Sequence, residues 1–321
     1  MNHLGANPLV SYIIATYNRP DPLEEAIDSV LEQTYRPLEI VIVDNSSTKN
    51  LELFEEGGRF DEEFIHYYYI TDQMSISAAR NFGFERASGP IIVQIDDDAT
   101  LGHPDVTEEV VSIFRKHASV GALAFKSLDS RTGELRRIEV PDPPDFRTPP
   151  SKQYRTTSFI GVGVAFRKTA LEKAGGYPED FKYGFEEMDL SVRLLDCGYD
   201  ILYNPSLVVF HKKSPEGRKS EIEMLESQVE NRIKIAIRNL PWRYVLFTAL
   251  IWFGYLILVT RSVSSLLKIS RRIYRDQNLT KRDIIDRRTI ALIKSRNSML
   301  YCWWYGPNPR RILNNPGRLK W

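Results

Sequence analysis

Cysteine is nearly missing: Cys197 and Cys302 are the only two among 321 residues. Two distant thiols cannot staple a small secreted fold, and their scarcity fits a reducing compartment. The opening residues, Met1–Pro8, hold no apolar core of signal-peptide length, so the bulk of the chain is expected in the cytoplasm. No internal repeat and no low-complexity segment is present, which excludes solenoids and tracts. Net charge is also close to absent, at +1, but that figure hides an imbalance. From Arg261 onward 15 Lys/Arg face three Asp/Glu, so the tail carries about +12 and the remainder about −11. Such a tail calls for an anionic partner: a lipid surface, a nucleic acid or an acidic protein face. What remains is ordinary globular material, 42% hydrophobic and 26% charged, long enough for one large core or two domains.

Short apolar runs alternate with helical spacings. Leu9–Ala15 reads as a strand, and Pro20-Asp21-Pro22 opens a helix carrying Leu23, Ala26, Ile27, Val30 and Leu31 on one face. Leu38–Val43 and Ile65–Ile70 are further strands, and Ser77–Ala87 is a helix stopped by Gly89. This cadence predicts an α/β fold with a mostly parallel sheet and right-handed crossovers. A helix over Asp105–His117 and a strand over Gly121–Phe125 continue it. Five prolines then exclude regular structure from Val140–Ser151, the mark of a lid or binding loop. Phe159–Phe166 resumes as a strand, where Gly161 and Gly163 leave room for a close approach. Glu186–Asp196 is a helix with acids in its first turn. Ile201–Tyr203 and Leu207–Phe210 are short strands, the second running into His211, and Glu221–Arg238 is amphipathic.

The organising stretch is Pro90–Asp98. An apolar run, Ile91–Ile95, ends in Asp96, Asp97 and Asp98. A buried parallel strand suits it, and in open α/β sheets ligands collect at the carboxyl ends of strands. Three adjacent carboxylates repel one another unless a cation is shared. With a side-chain period of two, Asp96 and Asp98 point the same way. That spacing grips one Mg²⁺ or Mn²⁺ and leaves positions for substrate phosphates. Other stretches converge on the same edge: Thr16, Tyr17 and Arg19 after the first strand, Asp44 after the second, Arg80 and Asn81 in the helix before Ile91, then Glu186, Glu187, Asp189 and His211 from the second half.

Five motifs stand in order: Ser11-Tyr-Ile-Ile-Ala-Thr-Tyr-Asn-Arg19, Ile40-Val-Ile-Val-Asp-Asn-Ser-Ser47, Ala78-Ala-Arg-Asn-Phe-Gly83 with Ala87-Ser-Gly89, Val93-Gln-Ile-Asp-Asp-Asp98, and Gly184-Phe-Glu-Glu-Met-Asp-Leu190 with Arg193. Each alone is weak; the ordered set is specific. Over about the first 210 residues the chain resembles a family 2 glycosyltransferase of the GT-A fold. That resemblance implies a nucleotide-sugar donor and single displacement with inversion. It implies that Thr16 and Asp44, with Tyr17 and Arg19 beside them, hold the nucleotide and that Arg80 reaches back to it. Asp96 and Asp98 match the metal pair, Asp98 being the direct ligand, with Asp97 on the donor side and His211 a third metal or diphosphate ligand. The family carries Glu-Asp where this chain has Glu186-Glu187, so the general base is left between those two, Glu187 occupying the second place. Asp189 is expected to pair with Arg193 one turn on.

The resemblance fades after His211, and residues 1–215 are expected to form the catalytic domain. Residues 216–321 are expected to be a helical extension that associates with membrane. Tyr244–Val259 is strongly apolar yet shorter than an ordinary span. With Trp242, Trp252 and the basic Lys268–Arg275 nearby, an interfacial helix is preferred to a span or a buried core helix. Tyr301–Trp321 interleaves tryptophans with cations, which suits a headgroup layer; no nucleic-acid motif accompanies it. The expected function is transfer to a lipid-linked oligosaccharide or growing surface glycan at the cytoplasmic face of the cell membrane. Two rivals are a nucleotidyltransferase and a non-catalytic protein binding through its basic tail. The first would carry a Gly-rich, Lys-containing loop after the first strand, and Thr16–Pro20 holds neither residue.

Overall fold

In the computed structural model, residues 4–136, 139–142, 150–181, 183–212, 220–276 and 282–295 are described. The expectations for Cys302 and Tyr301–Trp321, and those for 143–149 of the proline-rich insert, lie outside them. Four strands, β1 (Val10–Thr16), β2 (Leu38–Asp44), β3 (Ile65–Tyr69) and β4 (Ile91–Asp96), run parallel. Helices α1 (Pro20–Leu31), α2 (Leu51–Phe54) and α3 (Ile76–Arg86) connect them. β1, β2 and the apolar part of β4 are buried on both faces, which is why they read as unbroken apolar runs. Their side chains alternate between two cores. Ile13, Val41, Val43 and Ile92 face one, shared with α3; Tyr12, Ile14, Ile40, Ile42 and Val93 face the other, shared with α1.

The second half adds β5 (Ala99–Leu101), α4 (Val106–Lys116), β6 (Val120–Asp129), β7 (Tyr154–Thr156), β8 (Gly163–Arg167), α5 (Lys168–Ala174), α6 (Glu186–Asp196) and β9 (Asp200–His211). The nine-stranded sheet runs β3-β2-β1-β4-β8-β6-β9-β5, with β7 also on β9. β8 lies antiparallel between β4 and β6, so the sheet is mixed at its centre. The strand expected from Phe159 begins only at Gly163, because the chain leaves the ladder before it; the Val162 carbonyl still accepts from Asp96 N–H at 3.2 Å. The two short strands expected over 201–210 are one, β9, kept continuous by irregularities in its pairing with β6.

A helical region closes the chain: α7 (Glu221–Asn239), α8 (Trp242–Thr260), α9 (Val263–Arg275) and α10 (Arg287–Ser295). α7 starts with a reciprocal cap between Ser220 and Glu223. Its buried face continues the core that also holds α6. α8 turns Val245, Thr248, Trp252 and Leu256 inward and leaves Trp242, Leu246, Phe247, Leu250 and Leu258 exposed. Among the described residues it is the one helix long and apolar enough to cross a membrane.

Candidate active site

The end of β4 fixes the acidic cluster. Asp97 and Asp98 form the turn into β5, and β5 pairs with β9 so that Ala99 lies opposite His211. His211 is thereby brought to Asp98, Nε2 to Oδ1 at 3.5 Å. One ligand atom each from Asp96, Asp98 and His211 lie within 4.8 Å of one another. On its other side His211 Nδ1 meets both oxygens of Glu139 at 3.2 Å. Glu139 in turn accepts from Ser127 Oγ and lies 3.7 Å from Arg136. Burial works against a charged imidazole, but Asp98 and Glu139 outweigh it and raise the His211 pKa to about 9. A proton on His211 thus sits where two carboxylates call for positive charge. The donor set fits a divalent cation, and an imidazole beside two carboxylates suits Mn²⁺ better than Mg²⁺. Glu139 would fix the ring orientation, as outer partners of histidine ligands do.

Two arginines balance the remaining acids. Arg19 Nη1 lies 3.0 Å from Asp97 Oδ1 and 3.4 Å from Asp98 Oδ2, while Thr16 Oγ1 donates to Asp97 Oδ2 at 2.8 Å. Burial raises the Asp97 pKa to about 6 against the pull of Arg19. Asp97 is thus tied back to the end of β1, and it shares Arg19 with Asp98. Arg80, buried on α3, joins the two halves: Nη2 donates to Asp96 Oδ1 at 2.6 Å and Nη1 to Glu186 Oε1 at 3.4 Å. Its guanidinium also lies over the Tyr177 ring, 5.5 Å from the centroid.

Glu186 and Glu187 open α6 and differ in setting. Glu186 is 6% exposed, turned to Arg80, and its Oε2 has no hydrogen-bond partner among the described residues. Glu187 is partly exposed, and its Oε1 accepts from Gly161 N–H at 3.2 Å. Enclosure of its carboxyl and then the neighbouring Glu186 raise the Glu187 pKa, with Arg80 opposing. The Gly161 carbonyl accepts from Gln94 at 2.7 Å, and Tyr177 donates to Gln94 at 2.9 Å, so this peptide is held from both sides. A Cβ on Gly161 would lie 2.7 Å from Glu187 Oε1, so the close approach expected at this glycine is made by a carboxylate. Asp189 pairs with Arg193 at 2.7 Å, as the spacing suggests, and also accepts from Asn239 at 2.9 Å.

On the other flank, Asp44 is fully buried and accepts from Tyr67 Oη at 2.7 Å, Asn50 Nδ2 at 2.8 Å and Ser46 N–H at 2.8 Å. It sits beside Thr16 across the β1–β2 ladder. Asn18, in the left-handed region at φ 54°, accepts from Ser47 N–H and donates its own N–H to Ser46 Oγ, stitching the two loops together. Tyr17 stands exposed at the rim. The structure therefore gathers Thr16, Arg19, Arg80, Asp96, Asp97, Asp98, Glu186, Glu187 and His211, with Asp44 one strand over and Tyr17 outside. Sequence reasoning missed Glu139 and Tyr177. No local signal marks Glu139, which stands just before the proline-rich insert, 72 residues from its histidine.

The sequence model of glycosyl transferase family 2 matches residues 11–175. A glucosyl-dolichyl phosphate glucuronosyltransferase of Haloferax volcanii is 27% identical over 221 residues, covering 63% of this chain and 69% of that protein. A poly-beta-1,6-N-acetyl-D-glucosamine synthase of Staphylococcus epidermidis is 24% identical over 203 residues, covering 61% of this chain and 48% of that one. Among solved structures, the mannosyltransferase PcManGT of Pyrobaculum calidifontis, in complex with GDP-Man and Mn²⁺, superposes with a TM-score of 0.54 at 18% identity, over 98% of this chain and 87% of that one. GalNAc-T7 with UDP, GalNAc and Mn²⁺ superposes at 0.60 with 16% identity, over 96% and 57%. At these identities the structural likeness is one of fold, the GT-A type of mixed α/β sheet flanked by helices.

Proposed function

The chain belongs to glycosyl transferase family 2 and is a glycosyltransferase, and from that premise we propose that it moves a sugar from a nucleotide-sugar to a lipid-linked oligosaccharide or surface glycan, with inversion, at the cytoplasmic membrane face. The observation that best supports a working transfer site is Arg80. It holds Asp96 and Glu186 at 2.6 and 3.4 Å, so the acids of the two halves share one cleft. Asp44 and Thr16, with Tyr17 exposed at the rim, hold the nucleotide. Arg19 and Arg80 lie against the diphosphate. Asp96, Asp98 and His211 hold a divalent cation, which when bound stabilises the charge gathering on the departing diphosphate.

Glu187 is the general base, and Glu186 supports it. The raised pKa of Glu187 makes it a stronger proton acceptor than an ordinary carboxylate. Glu187 takes that proton as the acceptor oxygen bonds to the anomeric carbon. The bond to the diphosphate breaks on the opposite face, and the nucleoside diphosphate leaves with the electron pair. Gly161 N–H keeps one carboxylate oxygen fixed, so the other faces the acceptor. No covalent enzyme intermediate is required.

The exposed apolar residues of α8, with Arg243 and Arg261 at its ends and Arg271 and Arg275 on α9, support a seat in the headgroup layer of an anionic leaflet. The Haloferax volcanii relative is named for a dolichyl phosphate acceptor, in keeping with a lipid-linked substrate here. The test begins with a thermal-shift screen of nucleotide-sugars with Mn²⁺, since a ligand bound only by the native state raises Tm. Transfer of label from the donor selected is then followed with a lipid extract. Asp98→Ala should abolish both the Mn²⁺-dependent shift and transfer. Unchanged transfer by Asp98→Ala, or no response to any donor, would refute the proposal.

A further inference from the structure

The first turn of α6 carries acids that suit its dipole, but the backbone just before it is strained. Gly184 and Phe185 are both left-handed, at φ 76° and 72°, and Phe185 offers no side-chain cap. Phenylalanine avoids that region because its Cβ meets the backbone, so the turn must be held from outside. The outside support is α7. Asn231 Nδ2 donates to the carbonyls of Tyr183 and Gly184 at 3.1 and 2.7 Å. Lys234 and Arg238 hold Asp180 at 3.0 and 2.6 Å, and Asn239 holds Asp189 at 2.9 Å. Between these grips lies Arg232, 2% exposed, its guanidinium carbon 3.9 Å from the Phe185 ring centroid and 3.8 Å from that of Trp252. The two rings thus close on the one flat group within 3.9 Å. Phe185 immediately precedes Glu186, and Trp252 is on the inner face of α8, whose outer face is apolar and exposed.

We propose that Arg232 is a positioning residue. By filling the slot between Phe185 and Trp252 it sets the left-handed turn that aims Glu186 and Glu187, and it carries the seating of α8 through to that turn. A flat cation suits the slot because it attracts both ring faces while spacing them apart. Packing alone does not call for arginine here: apolar replacement of a buried charge is often neutral or stabilising, and methionine has similar length. What methionine cannot supply is the rigid spacing of two rings. The inference rests on Glu187 being the base, and the experiment separates the two.

The variants are Arg232→Met, Phe185→Leu, Trp252→Leu, the Arg232→Met/Phe185→Leu double and, as a control, Glu187→Gln. Arg232→Met is expected to lower kcat at least tenfold with little change in donor KM and a Tm within a few degrees of wild type. The acid limb of its pH profile should move, because Glu187 shifts relative to Glu186 and Gly161. Phe185→Leu should produce the same loss, and the double variant no further one. Trp252→Leu should fall in the same direction. Independently of any substrate, hydrogen exchange at amides 184–190 should quicken in Arg232→Met while β1, β2 and β4 stay protected. Wild-type kcat, pH limb and exchange in Arg232→Met, or losses that simply add in the double variant, would overturn the proposal. Should Arg232→Met not fold, Phe185→Leu and Trp252→Leu carry the same kinetic and exchange readouts. If instead Glu187→Gln keeps full activity, it is the assignment of the base that fails, and the exchange arm still decides the role of Arg232.

Discussion

Replacing Gly161 by alanine isolates the placement of the base from the stability of the fold. The backbone at this position needs no left-handed angle, so alanine fits the chain. The added Cβ would lie 2.7 Å from Glu187 Oε1, which can retreat, and 3.0 Å from Arg80 Nη2, which Asp96 and Glu186 hold in place. Ordinary contact requires the carboxylate to move by roughly half an ångström or more, which also loosens its bond to Gly161 N–H. Misplacement on the order of 1 Å costs about a hundredfold in rate, so kcat is expected to fall by about ten- to a hundredfold. Donor KM should change less than kcat, since Thr16, Arg19 and Asp44 lie on the far flank and Arg80 is the one donor-facing residue that the new Cβ touches. Tm should stay within a few degrees. The assay is release of nucleoside diphosphate from the donor that stabilises wild type, with lipid extract as acceptor. Wild-type kcat in Gly161→Ala would show that Glu187 need not sit against Gly161. A collapse in Tm would show that the glycine serves packing instead.

Arg80→Met should unfold more easily, by roughly 3 kcal/mol, because it leaves Asp96 and buried Glu186 without their cation. Urea titration checks it, and an unchanged midpoint would mean these acids do not depend on Arg80. Glu139→Gln should weaken Mn²⁺ binding by about ten- to a hundredfold through a loosened His211, measured by calorimetry; equal affinity would remove Glu139 from the site. Glu187 binds its proton more tightly in the folded chain than in the unfolded one. Its contribution to stability is therefore full in acid and fades as pH rises from the ordinary carboxylate range through its raised pKa. Transfer needs the deprotonated form, so kcat should climb over that same window, and Glu187→Gln should flatten both trends. Parallel rise of stability and rate with pH would contradict the assignment.

The parts of the site written in contiguous residues were legible. Asp96–Asp98 follow a buried run, and a parallel strand places its end at the ligand edge whatever the rest of the chain does. Glu186 and Glu187 could be placed on a helix start, but not told apart. Their difference comes from Arg80 and Gly161, which are 106 and 26 residues from the glutamates they touch. Glu139 was hidden for the same reason: its role comes from a histidine on another strand, not from its own neighbours. The central strand could be read but not its antiparallel sense, because a short apolar run carries no direction; β8 takes its sense from β4 and β6. Helix α5, directly after it, offers only seven residues, too few for a spacing pattern to stand out.

The three-residue edge strand β5 has a consequence for assembly. It sets Ala99 across from His211, so the histidine reaches Asp98 only when β9 has paired with β5. At the proposed metal site the two acids without His211 would hold a cation more loosely, so Mn²⁺ affinity would gauge whether this edge of the sheet is complete. A slip of a single rung would swing His211 to the opposite surface and erase the chelate while leaving most of the core intact.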